Sequence, residues 1–291
     1  MARIKLIAAM LILGTLGLFV QYIPLSAHLT VFIRAVVATS VMGIVLLLRK
    51  QRLRLPRSKK SLCLLLLSGA CMAMNFLFLF EAYKRIPYSI ASLCDYFAPV
   101  VIMALAPIVY REKQTLRQMG CCIMCTVGLI LLVGVGGVGH LDSVGVAIGL
   151  IGMLFYVPVL VINKIIKDVG SLERTFLQFG VAALVLAAML PFGEKPDFSQ
   201  MQLSGWLHLF VIGAVHTGLA YYLSLSALPK LPGQEGALLT YIDPLTAICV
   251  SLLWMGETLN GIQILGGVLL LGFLILNEFG TAHPEHITKH G

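Results

Sequence analysis

Charge is scarce in this sequence. Asp, Glu, Lys and Arg supply 12% of the 291 residues, against about 25% in an ordinary soluble domain. That deficit sets a water-soluble globular class aside. Long polar stretches are missing too, and no segment within the chain is long enough for a separate soluble domain. No G-x-x-x-x-G-K-[ST] loop is present, so direct ATP drive within this chain is not expected. Clusters of metal ligands are also lacking. Cys121, Cys122 and Cys125 stand close together, but no His, Asp or Glu shares their apolar run, and a zinc site wants four converging ligands. With Cys63, Cys71, Cys94 and Cys249 they read as small hydrophobes. His283, His286 and His290 stand in a polar tail and read as solvated. No metal and no cofactor is expected.

What is present is apolar: 59% of the residues are hydrophobic. A membrane span takes roughly 20 such residues, so the chain holds about ten spans joined by short loops. The apolar runs bounded by charge or turn residues are 5–23, 29–48, 61–81, 88–109, 117–137, 144–163, 173–192, 204–224, 234–255 and 260–277. The first run, Leu6 to Val20 after Arg3 and Lys5, also fits a signal peptide. Leu25-Ser26-Ala27 is a poor small-x-small cleavage pattern, and the repeat described below needs the segment as a helix. It is read as a span. The expected class is an all-α integral membrane protein.

The net charge of +8 could suggest nucleic acid, but its distribution argues otherwise. Arg49, Lys50, Arg52, Arg54, Arg57, Lys59 and Lys60 crowd one loop between two apolar runs. Such juxtamembrane clusters set topology or touch anionic lipid. With the N-terminus inside, 17 Lys and Arg fall on the cytoplasmic side and 3 (Lys84, Arg85 and Lys195) on the other. That bias predicts cytoplasmic termini in a cell membrane.

The sequence repeats itself. A shift of 145 positions puts Ala82 on Ala227, Pro87 on Pro232, Leu93 on Leu238, Tyr96 on Tyr241, Pro99 on Pro244 and Glu112 on Glu257. Earlier in each half the register differs. There Phe32-Ile33-Arg34 matches Phe176-Leu177-Gln178, and Gly14-x-x-Gly17 matches Gly149-x-x-Gly152. Apolar composition produces chance Leu matches, but it does not readily align prolines and glutamates at one shift. The expected halves are 1–137 and 144–277, followed by a cytoplasmic tail, 278–291. Five spans per half is an odd number, so the second half should lie inverted relative to the first. Inverted repeats place a binding site near the midplane and permit alternating access by rocking one half against the other.

Asn75-x6-Ala82-x4-Pro87, then Ala91, Pro99, Arg111-Glu112-Lys113 and Gln118-x-Gly120, resembles the EamA repeat of the drug/metabolite transporter superfamily. A second copy runs from Tyr221 through Ala227, Pro232, Gly236-Ala237, Pro244 and Glu257 to Gln263-x-x-Gly266. The resemblance implies a ten-helix transporter with both termini cytoplasmic. It implies that helices one to four and six to nine surround a central cavity, with the fifth and tenth packed outside. Its members export amino acids, other metabolites or organic cations, or import metabolites.

Ionisable groups inside hydrocarbon are costly and need partners, so each is a functional candidate. Arg34 lies roughly 7.5 Å into the second span and Asp95 roughly 10 Å into the fourth, counted at helical rise from the same face. Glu81 ends the third span nearby. These three could form an outer polar cluster lining the cavity, or Arg34 and Asp95 could be a permanent ion pair that fixes packing. Asp243 stands roughly 13 Å into the ninth span, directly before Pro244. Proline there removes a backbone hydrogen bond and opens the helix, as Pro99 and Pro158 would in the fourth and sixth spans. Asp243 reads either as a proton carrier or amine ligand, or as a carboxyl kept protonated or bonded to Thr240, Thr246 or Tyr241. Asp95 and Asp243 are the candidates for proton coupling. Asn75, Tyr96, Gln178, His216, Tyr221, Tyr222 and Tyr241 are uncharged candidates for the wall, since aromatic walls with a few polar groups suit small molecules. Gly14, Gly17, Gly149 and Gly152 read as close-approach helix contacts, and Glu112 and Glu257 as residues that fix loop geometry at helix ends.

A secondary transporter is the preferred function, with a small-molecule substrate, the bilayer as its setting and protons as a coupling ion. An exporter of amino acids or related metabolites is favoured, because Arg34 could meet a carboxylate while Asp95 or Asp243 meets an amine. A multidrug exporter of organic cations is the alternative. A lipid-modifying enzyme would want clustered His, Asp or Ser at a membrane face, which the short loops do not offer. A non-transporting receptor or scaffold is the third class. Monomer and dimer stay open.

Overall fold

The computed structural model describes residues 1–50, 53–56, 58–109, 115–133, 142–192, 197–231 and 233–280. Every regular element among them is helical. The first run is a pair of helices, α1 (Ala2–Gly14) and α2 (Leu16–Val20), and α3 (Ala27–Leu48) and α4 (Lys59–Tyr83) follow. The fourth run divides into α5 (Tyr88–Asp95) and α6 (Ala98–Val109), and α7 is Leu116–Val133. The later elements begin with α8 (Ser143–Ile165), α9 (Ser171–Met189) and α10 (Leu203–Val211). A π-helical turn over Ile212–Leu219 then leads into α11 (Ala220–Ala227). The last are α12 (Gly233–Thr240), α13 (Ile242–Leu253) and α14 (Gly261–Gly280).

Among the described residues nine helical stretches are long and apolar enough to cross a bilayer, and Leu116–Leu132 is a shorter apolar helix. The chain is therefore an all-α, multi-pass membrane protein. Residues 134–137 of the expected fifth span lie outside the described residues. So do Glu112 and the chain from residue 281 on. Helix α14 continues to Gly280, past the expected end of the last span at residue 277.

Local chemistry sets the helix starts. Ser26 Oγ accepts from Leu29 N–H at 3.3 Å, Ser58 Oγ from Ser61 N–H at 2.9 Å and Asp142 Oδ1 from Val144 N–H at 2.9 Å, each satisfying an amide that the first turn leaves without a partner. The fourth and ninth expected spans are each broken, at Tyr96–Phe97 and at Tyr241. Proline explains both breaks. Pro99 cannot donate to the Asp95 carbonyl four residues back, nor Pro244 to that of Thr240, and each ring crowds that carbonyl. The expectation for Pro158 is corrected: α8 runs through it without a break.

Helix α4 packs along α8 and α9, α3 along α9 and the π turn, and α1 along α11 and α13. Helices α7 and α14 pack on each other. A Cβ on Gly128 would sit 2.7 Å from the Gly266 carbonyl oxygen, and one on Gly266 2.6 Å from that of Gly128. Cys125 is buried in this seam with its thiol 3.5 Å from the Leu270 carbonyl, in keeping with its reading as a small packing residue.

Candidate functional site

Both helix breaks open onto one cavity of about 410 Å³, whose lining includes Arg34, Asn75, Asp95, Tyr96, Tyr241 and Asp243. Tyr221 lines it too, together with Tyr83, Tyr88 and Tyr156. Among the described residues no lining residue comes from α7, α9 or α14.

Arg34 is 4% exposed and reaches the wall from α3. Its Nε donates to Thr217 Oγ1 at 2.6 Å, and Thr217 in turn donates to the Ile212 carbonyl at 2.8 Å. The guanidinium carbon lies 4.4 Å from the Phe76 ring centre and 5.0 Å from that of Phe80, so two aromatic faces supply part of the solvation that burial removes. The alternative of a permanent pair is corrected: among the described residues no ion pair joins Arg34 to Asp95. Asp95 is held by Asn75 instead, whose Nδ2 donates to Asp95 Oδ1 at 2.8 Å and to the Gly152 carbonyl at 3.1 Å. That one amide ties α4, α5 and α8 together. Glu81 does not join the cluster; it pairs with Arg85 at 3.3 Å, one turn further along.

Two of the hydroxyls weighed as partners for Asp243 are engaged elsewhere. Thr240 and Thr246 spend their hydroxyls on the carbonyls of Ala237 and Ile242. The phenol that meets the Asp243 carboxylate is that of Tyr96, which stands at the other helix break.

Three sequence candidates lie elsewhere. Gln178 is fully buried in packing between helices, donating to Ser68 Oγ at 2.5 Å and Asn163 Oδ1 at 2.8 Å. His216 sits behind the wall in the π turn, 3.2 Å from Thr15 Oγ1 and with its ring tilted against that of Phe19, centres 4.7 Å apart. Tyr222 faces a different pocket, beside Arg49. Gln178→Leu is accordingly expected to lower stability by about 1–3 kcal/mol through unmet buried partners, with substrate affinity unchanged; thermal unfolding beside binding titration checks it.

Residues that sequence reasoning passed over are Tyr83, Tyr88, Tyr156, Ser92 and Phe76, all of them in the lining. A signal existed for some. Tyr88, Ser92, Asp95 and Pro99 recur at helical spacing and share one face, as do Phe76, Leu79 and Tyr83. At that end Tyr88 is buried against Tyr83, ring centres 4.7 Å apart. Glu257, from the α13–α14 connection, caps α5 by accepting from the Tyr88 amide, from the Ser89 amide at 3.1 Å and from the Ser89 hydroxyl at 2.6 Å.

Apolar membrane-crossing helices around a polar chamber define a multi-pass protein of the solute-carrying kind. The EamA-like transporter family matches residues 2–134 and 143–278, and the chain belongs to that family. It is a small-molecule transporter, not an enzyme. An uncharacterized transporter of Bacillus subtilis, YxxF, is 27% identical over 100% of this chain and 93% of its own length. A "Probable amino-acid metabolite efflux pump" of Salmonella typhimurium is 26% identical, covering 77% of this chain and 79% of its own. The threonine/homoserine exporter RhtA of the same species is 26% identical over 74% and 70%. A solved crystal structure with 18% identity superposes with a TM-score of 0.64, covering 94% of this chain and 95% of that one; this shows the shared fold.

Proposed function

We propose that the protein exports amino acids or closely related metabolites by alternating access, its two five-helix halves lying inverted and both termini in the cytoplasm. The observation that carries this is the chamber itself, where a buried guanidinium that pairs with no carboxylate among the described residues shares a wall with two carboxylates among tyrosine rings. Arg34 suits an α-carboxylate, and Asp95 or Asp243 an ammonium group. The names of the two Salmonella relatives support this class. Helix breaks 145 positions apart, at Tyr96 and Tyr241, support two related halves meeting at the substrate, the arrangement that rocking requires. The excess of basic residues around 49–60 supports the orientation.

A specific observation favours organic cations as a second reading: among the described lining residues two carboxylates and six tyrosines face a single arginine. Counterflow in proteoliposomes decides between them. Phenylalanine and threonine are each compared with the matching amine that lacks the carboxylate. The amino-acid reading expects the amine to compete about 10-fold or more weakly, the loss of one charge-assisted contact. Equal or stronger competition by the amine would transfer the assignment to cations.

A further inference from the structure

A second pocket, of about 710 Å³, lies apart from the central cavity, on the other face of α11. Its walls are the end of α3 with the chain that follows (Arg49, Lys50, Arg54), the start of α9, and Tyr222 with Leu225. Nothing in the transport reading uses it.

Its cations are placed rather than merely crowded. Arg49 Nη2 donates to the Tyr222 hydroxyl at 2.7 Å while the guanidinium carbon stands 5.0 Å from that ring's centre. A guanidinium has five N–H donors, and this contact takes one. Lys50 adopts a left-handed backbone, φ +52°, a region few non-glycine residues enter. That turn follows the end of α3, and Arg54 lines the same pocket. Directly before the arginine, Leu47 and Leu48 are 78% and 79% exposed, and Leu53 and Leu55 beyond it are exposed as well. A cationic pocket bordered by bare leucines at the end of a membrane-crossing helix matches a molecule with an anionic head and apolar tails. Asp168 and Glu173 also line it, and Glu173 is anchored by accepting from the Gly170 amide at 3.0 Å. Carboxylates beside arginines suit a head that carries hydroxyl groups as well as a phosphate.

We infer that this pocket binds the headgroup of an anionic phospholipid of the phosphatidylglycerol type, with the phosphate on Arg49 and Arg54, the glycerol hydroxyls toward the acidic side, and the acyl chains along the leucines. Basic pockets between membrane helices on the cytoplasmic side hold anionic heads in this way. The inference is independent of what the central cavity carries.

Thermal unfolding of the detergent-purified full chain tests it, with dioleoyl phosphatidylglycerol, dioleoyl phosphatidylcholine or inorganic phosphate added. The expected result is a rise in midpoint with phosphatidylglycerol alone, saturating at low lipid ratios. The double variant R49Q/R54Q should weaken the apparent affinity at least tenfold. Should loss of the Tyr222 contact unfold that variant, R54Q alone, on the irregular chain after α3, should still weaken it severalfold. K59Q/K60Q removes the same charge from outside the pocket and should leave the response intact. An equal loss in K59Q/K60Q would reduce the effect to diffuse charge and overturn the site. A rise with inorganic phosphate would reassign the pocket to a soluble anion, and no rise with any additive would remove it.

Discussion

With Asp243 proposed as the proton carrier of the export reading, Asp243→Asn is expected to cut export about 10- to 100-fold, the span of a charge-assisted hydrogen bond worth about 1.5–3 kcal/mol at about 1.4 kcal/mol per tenfold. The remaining flux should no longer respond to a pH gradient. Asparagine keeps the size of the side chain and can still accept from the Tyr96 phenol, so the wall should stay in place. It cannot take up a proton. The position argues for this role because Asp243 opens α13 immediately after the break at Tyr241, beside the Thr240 carbonyl that Pro244 leaves without its helical donor. Carboxylates inside a membrane interior are tolerated where they line such a cavity and are candidates for proton relays. Asp95→Asn should act differently, since Asn75 already holds Asp95 Oδ1; its effect should fall on substrate affinity more than on pH response. Efflux from proteoliposomes with and without an imposed gradient reads both variants. An Asp243→Asn protein that kept its pH response would end the proton assignment.

How far the chamber could be read from the sequence depends on what kind of signal each residue leaves. The membrane class followed from a shortage of charge, which is a property of composition. The two helix breaks followed from proline, whose effect is local and sits at a fixed offset. Ionisable groups inside apolar runs were readable as such, and Arg34, Asp95 and Asp243 all line one cavity. Azimuth was not readable in the same way. Tyr221 and Tyr222 are neighbours in sequence, yet successive residues of a helix point about 100° apart; one lines the chamber and the other the pocket beside Arg49. Gln178 aligned with Arg34, but α9 presents it to α4 and α8, where it finds Ser68 and Asn163. The π turn over Ile212–Leu219 left no sequence mark at all, and it turned His216 toward Thr15 and Thr217 toward Arg34.

Gly14 and Gly149 are equivalent by alignment but should respond in opposite ways to the same methyl group. A Cβ on Gly14 would stand 2.5 Å from Thr246 Cβ and 2.6 Å from the Asp243 carbonyl oxygen. One of those atoms is backbone and cannot rotate aside, so α1 and α13 would have to part. Overpacking of this kind costs about 1–3 kcal/mol. Gly17, one turn on, is as close to the Tyr88 ring, at 2.7 Å, which leaves α1 little room to shift. Gly152 is tight in its own setting, 3.2 Å from Phe78 Cβ. A Cβ on Gly149 would meet only Ala82 Cβ at 3.6 Å and Cys94 Cβ at 3.8 Å, ordinary van der Waals distances. Replacing glycine inside a helix there should gain about 0.5–1 kcal/mol from the unfolded chain's lost freedom. Gly14→Ala is therefore expected to lower the unfolding midpoint and to impair transport, because the contact it breaks is with the backbone of Asp243 itself. Gly149→Ala should leave the midpoint level or raise it and leave transport intact. If both variants fell together, tight packing of α1 on α13 would not be what holds the Asp243 wall in position.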